Sequence, residues 1–481
     1  MEAHVFSSKC VFSSLKDIAG KKVTIMGLGL NGGGEATVRF FLNHGAIVTV
    51  TDMKTQEQLA TTINSLEPEI KKYGNKLRFV LGCHQIEDFE NADVVIKNPG
   101  VKIQGNKFLS CAKSIETDIS IFLRFTKAPI IAVTGSKGKS STVSAIHYGL
   151  SKAGFKSFLG GNITVSPLTF LAETDETTPV VLELSSWQLA DLRGRNLLKP
   201  KISLLTTIVP DHQNWYGDME SYVQDKKLIY AEQSSEEWTI CQGNDSWGKI
   251  FAQETQGKPL FCGTEDSLTQ HNGAFIASDG KGYIWLPGMK TPELLLSDLQ
   301  VPGKHMKTNA LNAALVMYLM KIPSKKISQI LSTWPGINHR LEYFYTWDNQ
   351  GYPVKFYNDS AATVPEAAAA ALEAFDQPIH LICGGTDKEL DFEPLAQKLK
   401  QIPPLSLSLL AGTGTDKLLP LLKNPTEPYD SLEELLKSVK SELPQKSGIV
   451  VFSPGATSFG MFKNEFDRGK TFKALVQKIF V

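Results

Sequence analysis

The strongest constraint on this chain is the stretch Ile130-Ile131-Ala132-Val133-Thr134-Gly135-Ser136-Lys137-Gly138-Lys139-Ser140-Ser141. Apolar, partly β-branched residues run into a glycine-bracketed turn, and Ser140 to Leu150 then reads as a helix. Strand, turn and helix start in that order make a phosphate cradle: glycines permit close backbone approach, amides at the helix start face the anion, and Lys139 adds a point charge. Ser140 is placed to hold a metal ion. The usual loop of this kind has four residues between its glycines. Here only Ser136 and Lys137 separate Gly135 from Gly138, and Val133 stands where the first glycine would be. The loop is a shortened form, and residues Gly135, Ser136, Lys137, Gly138, Lys139, Ser140 and Ser141 are the candidate contacts to a nucleoside triphosphate.

At 481 residues the chain exceeds what one core can organise and suggests about three domains, at roughly 150 residues each. Lys+Arg and Asp+Glu balance at 50 each, so no global field recruits nucleic acid or an acidic membrane, and any anion must be bound locally. Six cysteines are scattered without C-x-x-C spacing, which argues for free thiols in a reducing compartment rather than zinc or disulfides. The leading residues lack an apolar h-region, and no run reaches about 18 uncharged apolar residues. A soluble cytoplasmic protein is expected.

Val23 to Met26 followed by Gly27-Leu28-Gly29-Leu30-Asn31-Gly32 is a strand entering G-x-G-x-x-G, with a helix from Glu35 to Asn43, a strand from Ile47 to Thr51, and Asp52 closing it. This is a dinucleotide-type fingerprint, the acid placed to meet a ribose hydroxyl or another donor. Gly33 and Gly34 extend the turn and predict a looser one than close helix packing needs. Because the chain has a separate triphosphate loop, this crevice is expected to take a nucleotide-linked substrate rather than NAD. Val94 to Ile96 leads into Asn98-Pro99-Gly100, either an ordinary turn or part of that crevice.

In the centre, Gly160-Gly161-Asn162-Ile163 allows close backbone approach and offers an amide. Val180 to Ser186 reads as a buried strand interrupted by Glu183, a carboxylate that calls for a metal or an ion pair. Ile202 to Leu205 leads to Asp211-His212, and a helix from Met219 to Tyr230 carries Tyr222 and Lys226. Short strand-like pieces at 260–262, 274–277 and 283–286 suggest a small antiparallel excursion. A helix from Thr308 to Met320 carries Asn309.

T-G-S-K-G-K-S-S, G-G-N-I, L-E-L-S-S-W-Q-L and D-H with Y-x-x-x-K (Tyr222 to Lys226) together resemble the Mur ligases, ATP-dependent amide-forming enzymes of peptidoglycan precursor synthesis. In that family the lysine matching Lys226 is carbamylated and becomes a carboxylate-like metal ligand. The register favours Lys226 over Lys227. The family's H-N-x-x-N reads here as His305-Met306-Lys307-Thr308-Asn309, so the first adenine-facing asparagine is replaced.

Past the linker Trp334-Pro335-Gly336, Arg340 could swing onto a γ-phosphate or form a hinge salt bridge. Strands are expected at Phe356 to Tyr357, Ile379 to Cys383, Leu405 to Leu410 and Ile449 to Phe452, with a helix from Pro365 to Phe375, giving a second doubly wound sheet. The resemblance continues through His339-Arg340, Asn358-Asp359-Ser360, Gly384-Gly385-Thr386-Asp387-Lys388 and Ser453 to Phe462. Where relatives carry N-D-S-K-A-T-N and S-x-D-x-F, this chain has Ala361, Val364 and Gly460.

The whole therefore reads as α/β with three domains: a Rossmann-like N-terminal domain (1–127), a central P-loop ATPase-type α/β domain (128–335) and a C-terminal Rossmann-like α/β domain (336–481). The resemblance implies ATP and two Mg²⁺ ions, with UDP-N-acetylmuramoyl-L-alanine and D-glutamate as substrates, in a bacterial cytoplasmic monomer. It implies Lys139, His212, Lys226 and Arg340 as catalytic; Ser140, Glu183, His212 and Lys226 as metal ligands; and Asn309, Arg340 and Asp359 as further ATP contacts. Leu30, Asn31, Asp52, Lys54, Asn98, Pro99, Gly100 and Asn162 would hold the UDP-linked substrate, Lys54 replacing a family arginine, while Thr363, Lys388, Ser458 and Phe459 would meet D-glutamate. Domain closure is expected to accompany turnover.

Overall fold

The computed structural model describes residues 4–163, 165–268, 272–423 and 427–481. Three sheets carry the fold. The first contains β1 (Lys22–Met26), β2 (Ile47–Asp52), β3 (Leu77–Leu81), β4 (Val94–Lys97) and β5 (Ile115–Glu116), in the order β3-β2-β1-β4-β5 and parallel throughout. Strand order reverses at β1, so the crevice beyond its carboxyl end is the natural ligand position.

The second sheet holds β6 (Ile130–Thr134), β7 (Phe158–Gly161), β8 (Val180–Glu183), β9 (Ile202–Leu205), β10 (Trp238–Gln242), β11 (Lys258–Thr264), β12 (Gly273–Ile276), β13 (Gly282–Trp285) and β14 (Glu293–Leu296). Their order is β14-β13-β12-β11-β10-β9-β6-β8-β7. The segments from 260 to 286 are thus not a separate antiparallel excursion. β10, β11 and β12 extend the sheet in parallel, and antiparallel pairing begins only at β12 with β13. All of β6 is buried, which explains its continuous apolar run.

Helix boundaries refine the sequence reading. The helix after β6 spans Lys139–Ala153, bracketed by the left-handed residues Gly138 (φ +92°) and Gly154 (φ +101°); a glycine can hold such a conformation without Cβ strain. The helix bearing Lys226 is Met219–Lys227, shorter than expected. The helix bearing Asn309 is Lys304–Leu319, so Met306 lies inside it.

By compactness the chain divides into two units, Met1–Leu295 with Asn309–Ile327, and Leu296–Thr308 with Ser328–Val481. The first and second sheets share the former because one apolar cluster runs through both, from Phe12, Val38 and Phe41 to Ala132 and Leu182. Buried Glu116 of β5 also binds Arg195 at 2.8 Å and Arg124 at 3.2 Å. Across this junction lies the leading segment: the Phe6 amide donates to the Arg193 carbonyl at 2.9 Å, the Arg195 guanidinium stacks 4.1 Å from the Phe6 ring, and Phe12 packs on Phe41.

The second unit contains β15 (Glu342–Asn349), β16 (Tyr352–Asn358), β17 (His380–Gly384), β18 (Ser406–Leu410) and β19 (Gly448–Phe452), ordered β15-β16-β19-β17-β18. β15 is an antiparallel edge strand on an otherwise parallel sheet. All six cysteines are free. Among the described residues no helix is long and apolar enough to cross a membrane.

Candidate active site

The turn after β6 is held open by its neighbours. Gly135 has φ +141° and sits so near Thr206 that a Cβ would lie 1.9 Å from Thr206 Oγ1. The amides of Ser136 and Lys137 donate to the Thr207 carbonyl at 2.9 and 3.3 Å, and the Ser136 hydroxyl donates to the Val209 carbonyl at 2.8 Å. Ser136 therefore builds the loop, and Thr207, which carried no motif, is its clamp. Gly138 meets Asn309, whose Oδ1 would be 2.5 Å from a Cβ there, so the expected adenine residue does reach the loop.

Two lysines converge on one carbonyl. Lys139 Nζ donates to the Gly135 oxygen at 2.8 Å and to the Ser136 oxygen at 3.0 Å, while Lys226 Nζ donates to the same Gly135 oxygen at 2.9 Å. Lys226 is 1% exposed. Burial, and next the charge of Lys139, push its amine down to about 7. Burial also lowers Lys139 against the opposing pull of Glu183 and Asp211. Lys226 is thus neutral for a substantial fraction of molecules near neutral pH, and a neutral amine is a nucleophile where an ammonium is not.

Glu183 ends β8 beside this pair. Its Oε1 accepts from Asn162 Nδ2 at 2.9 Å, whereas Oε2 is buried without a hydrogen-bond partner. A buried carboxylate oxygen with no donor fits a cation. Asn162, expected to meet the UDP-linked substrate, here orients this carboxylate through its side chain, and its backbone amide donates to the main-chain carbonyl of Glu183 at 2.9 Å. Ser140, Glu183, His212 and a carbamylated Lys226 would offer the oxygen-rich donor set that Mg²⁺ prefers. Among the described residues no cluster of three His, Cys, Asp or Glu side chains exists, as expected when two of the four candidate ligands are serine and lysine. His212 has φ +51°, and its ring lies 4.9 Å from that of Trp187.

In the first sheet, the donors that meet the Asp52 carboxylate are backbone amides. Its Oδ2 accepts the Leu28 and Gly29 amides at 2.9 and 3.1 Å and its Oδ1 the Lys54 amide at 2.9 Å, so it pins the glycine turn. Nor is that turn loose: the helix begins at Gly33, and a Cβ on Gly34 would lie 2.1 Å from the Leu28 carbonyl, which makes Gly34 the close-packing glycine. Asn98 packs on Gly27 and accepts the Gly100 amide at 3.1 Å, joining Asn98, Pro99 and Gly100 to the crevice. Leu30, Asn31 and Lys54 are exposed around it.

In the second unit, exposed Arg340 sits between His339 (φ +65°) and Leu341 (φ +42°), left-handed conformations that side chains adopt under constraint. Asp359 supplies that constraint, its Oδ1 accepting the Leu341 amide at 3.1 Å and its Oδ2 the Ser453 hydroxyl at 2.6 Å; burial raises this carboxyl to about 7. Lys388 Nζ lies 4.6 Å from the Phe459 ring centroid. Thr386, unassigned from sequence, joins the two segments by pairing with Thr457 and donating to the Phe459 carbonyl. Ser458 is buried, and Thr363 follows Ala362, whose carbonyl accepts the Gly455 amide at 2.9 Å.

Sequence comparison gives this geometry its class. Residues 21–120 match the Mur ligase MurD-like N-terminal domain and residues 133–317 the Mur ligase middle domain. The chain belongs to the Mur ligase family, whose members are ATP-dependent ligases. Among its relatives is the UDP-N-acetylmuramoylalanine–D-glutamate ligase of Treponema pallidum, 43% identical over 96% of this chain and 98% of the relative. The protein of the same name in Borreliella afzelii is 37% identical over 97% of this chain and 99% of the relative. In fold the chain is similar to the UDP-N-acetylmuramate-alanine ligase MurC of Thermotoga maritima, with a TM-score of 0.55 at 17% identity over 95% and 99% of the two chains.

Proposed function

We propose that this ligase joins D-glutamate to UDP-N-acetylmuramoyl-L-alanine at the expense of ATP, as a monomer in the bacterial cytoplasm. The observation that carries the reading is the convergence of Lys139 and buried Lys226 on the Gly135 carbonyl beside Glu183, which keeps one oxygen unpaired. Amide formation needs the acceptor carboxylate to gain a leaving group. ATP phosphorylates the L-alanine carboxylate, ADP leaves, and the D-glutamate amine attacks the acyl phosphate and expels phosphate. That sequence brings anions together, so cationic side chains and metal must face the transferring group.

Lys139 clamps the β- and γ-phosphates over the helix start, and Arg340 closes over the transferring phosphoryl group. Lys226, through its neutral amine, takes up CO₂ and releases a proton to become a carbamate. Ser140 with Glu183, and His212 with the Lys226 carbamate, would hold two Mg²⁺ ions that neutralise the phosphate charge. Asn309 meets adenine and Asp359 the ATP ribose. Leu30, Asn31, Lys54 and the turn at 98–100 receive the UDP moiety, in a domain spanning 1–127, with Asp52 shaping the turn. The region 128–335 binds ATP, and 336–481 binds D-glutamate through Thr363, Lys388, Ser458 and Phe459.

Phosphate release measured with UDP-N-acetylmuramoyl-L-alanine across a panel of D- and L-amino acids tests the reading. D-glutamate alone should give strong release; preference for another amino acid, or for UDP-N-acetylmuramate as acceptor, would overturn it.

A further inference from the structure

His212 is exposed on its side chain, yet its placement is controlled from both ends. Its carbonyl accepts the Trp215 and Tyr216 amides at 2.9 and 3.1 Å, which fixes the left-handed backbone. Its ring meets the Trp187 indole at 4.9 Å. Trp187 in turn lies 4.8 Å from Trp215 at an interplanar angle of 37°, and Lys102 places its ammonium 5.1 Å from the Trp215 ring, within cation–π range. Lys102 is two residues beyond Gly100. An unbroken row therefore runs from the turn at 98–100 through Lys102, Trp215 and Trp187 to the imidazole.

One detail shows what Trp187 is for. Its Nε1 is buried with no hydrogen-bond partner, although a buried indole N–H normally finds an acceptor. Trp187 is therefore held by ring contacts, its indole tilted 51° to the His212 ring and 37° to the Trp215 ring. It also starts from the same strand end as Glu183, on the helix Ser186–Ala190, whose cap Ser185 accepts the Gln188 amide.

We infer that Trp187 and Trp215 are positioning residues for His212, and that with Lys102 they couple occupancy of the turn at 98–100 to the orientation of the imidazole. This rests on the ligase reading for the role of His212. Misorienting one catalytic group can lower turnover about a hundredfold. Trp187→Ala should reduce kcat by about tenfold to a hundredfold, with the affinity for UDP-N-acetylmuramoyl-L-alanine, measured without ATP, near that of wild type. Trp187→Phe should recover kcat to within about threefold, because only a ring contact is needed. Lys102→Met should raise KM for the UDP-linked substrate and leave kcat largely intact.

The adjacent indoles supply an independent readout. Far-ultraviolet circular dichroism should show a tryptophan exciton couplet that is lost in Trp187→Phe and changes when the UDP-linked substrate is added without ATP or metal. Wild-type kcat in a folded Trp187→Ala protein, failure of Trp187→Phe to rescue, or a couplet indifferent to substrate would each overturn the inference. Absence of ligation in the wild type would instead overturn the ligase reading and leave the spectroscopic result standing.

Discussion

The turn after β1 and the turn after β6 look alike in sequence, each a glycine-rich passage from a central parallel strand into a helix, but their carboxylates are wired in opposite ways. Asp52 gives its oxygens to three backbone amides of its own neighbourhood. Glu183 has one oxygen held by Asn162 and one held by nothing, with two lysines close by that share the Gly135 carbonyl. The first arrangement is complete and makes shape. The second leaves one carboxylate oxygen unmet beside two lysines, and so has room for chemistry.

That contrast can be broken experimentally. The largest effect should come from Lys226→Ala, which removes the amine that becomes a ligand; ligation should fall by about a thousandfold, roughly 4 kcal/mol of barrier, with binding of the UDP-linked substrate unchanged by calorimetry. Glu183→Gln keeps the Asn162 contact and removes the charge, and should lower kcat by about a hundredfold in steady-state assays across a magnesium titration. Asp52→Ala should behave differently, leaving the buried Leu28 amide unpaired at a stability loss of about 2 kcal/mol, read as a lower urea midpoint, with a raised KM for the UDP-linked substrate and little change in kcat. A kcat collapse in Asp52→Ala would erase the distinction between the two turns.

A smaller test lies at the end of β16. The Asp359 carboxyl is raised to about 7 by burial, above the ordinary carboxylate range, so the folded state holds a proton that the unfolded chain has already lost. Stability from this group is full below about pH 4 and declines as pH rises through 7. Thermal melts from pH 5 to 8 should show a falling midpoint in wild type and a flatter one in Asp359→Asn.

The strands most legible in the sequence were those whose signal is local. β6 and β8 are buried on both faces and read as unbroken apolar runs, and the shortened glycine loop carries its spacing within a few residues. The antiparallel reading holds for β12 with β13, but β10 was not read and β11 was misplaced, because parallel pairing joins strands through long crossovers and nothing inside Lys258–Thr264 names its partner. β15 escaped because the aromatic residues of Glu342–Asn349 run consecutively at Tyr343-Phe344-Tyr345, across an irregularity in the pairing with β16, and so give no alternation of period two. The site followed the same division. Lys139 and Glu183 stood out by residue type and position, and Lys226 only through the resemblance of Y-x-x-x-K to a family pattern, whereas the clamp at Thr207 and the partners of Asp52 are backbone groups, which leave no mark in a sequence. Asn162 was legible as an amide near the site, but not as the partner of Glu183.

The leading segment has a practical corollary. Phe6 and Phe12 are buried rungs of the first unit, so a purification handle fused close to them, or a trimmed start chosen to aid crystallisation, would tug at the seam between two sheets.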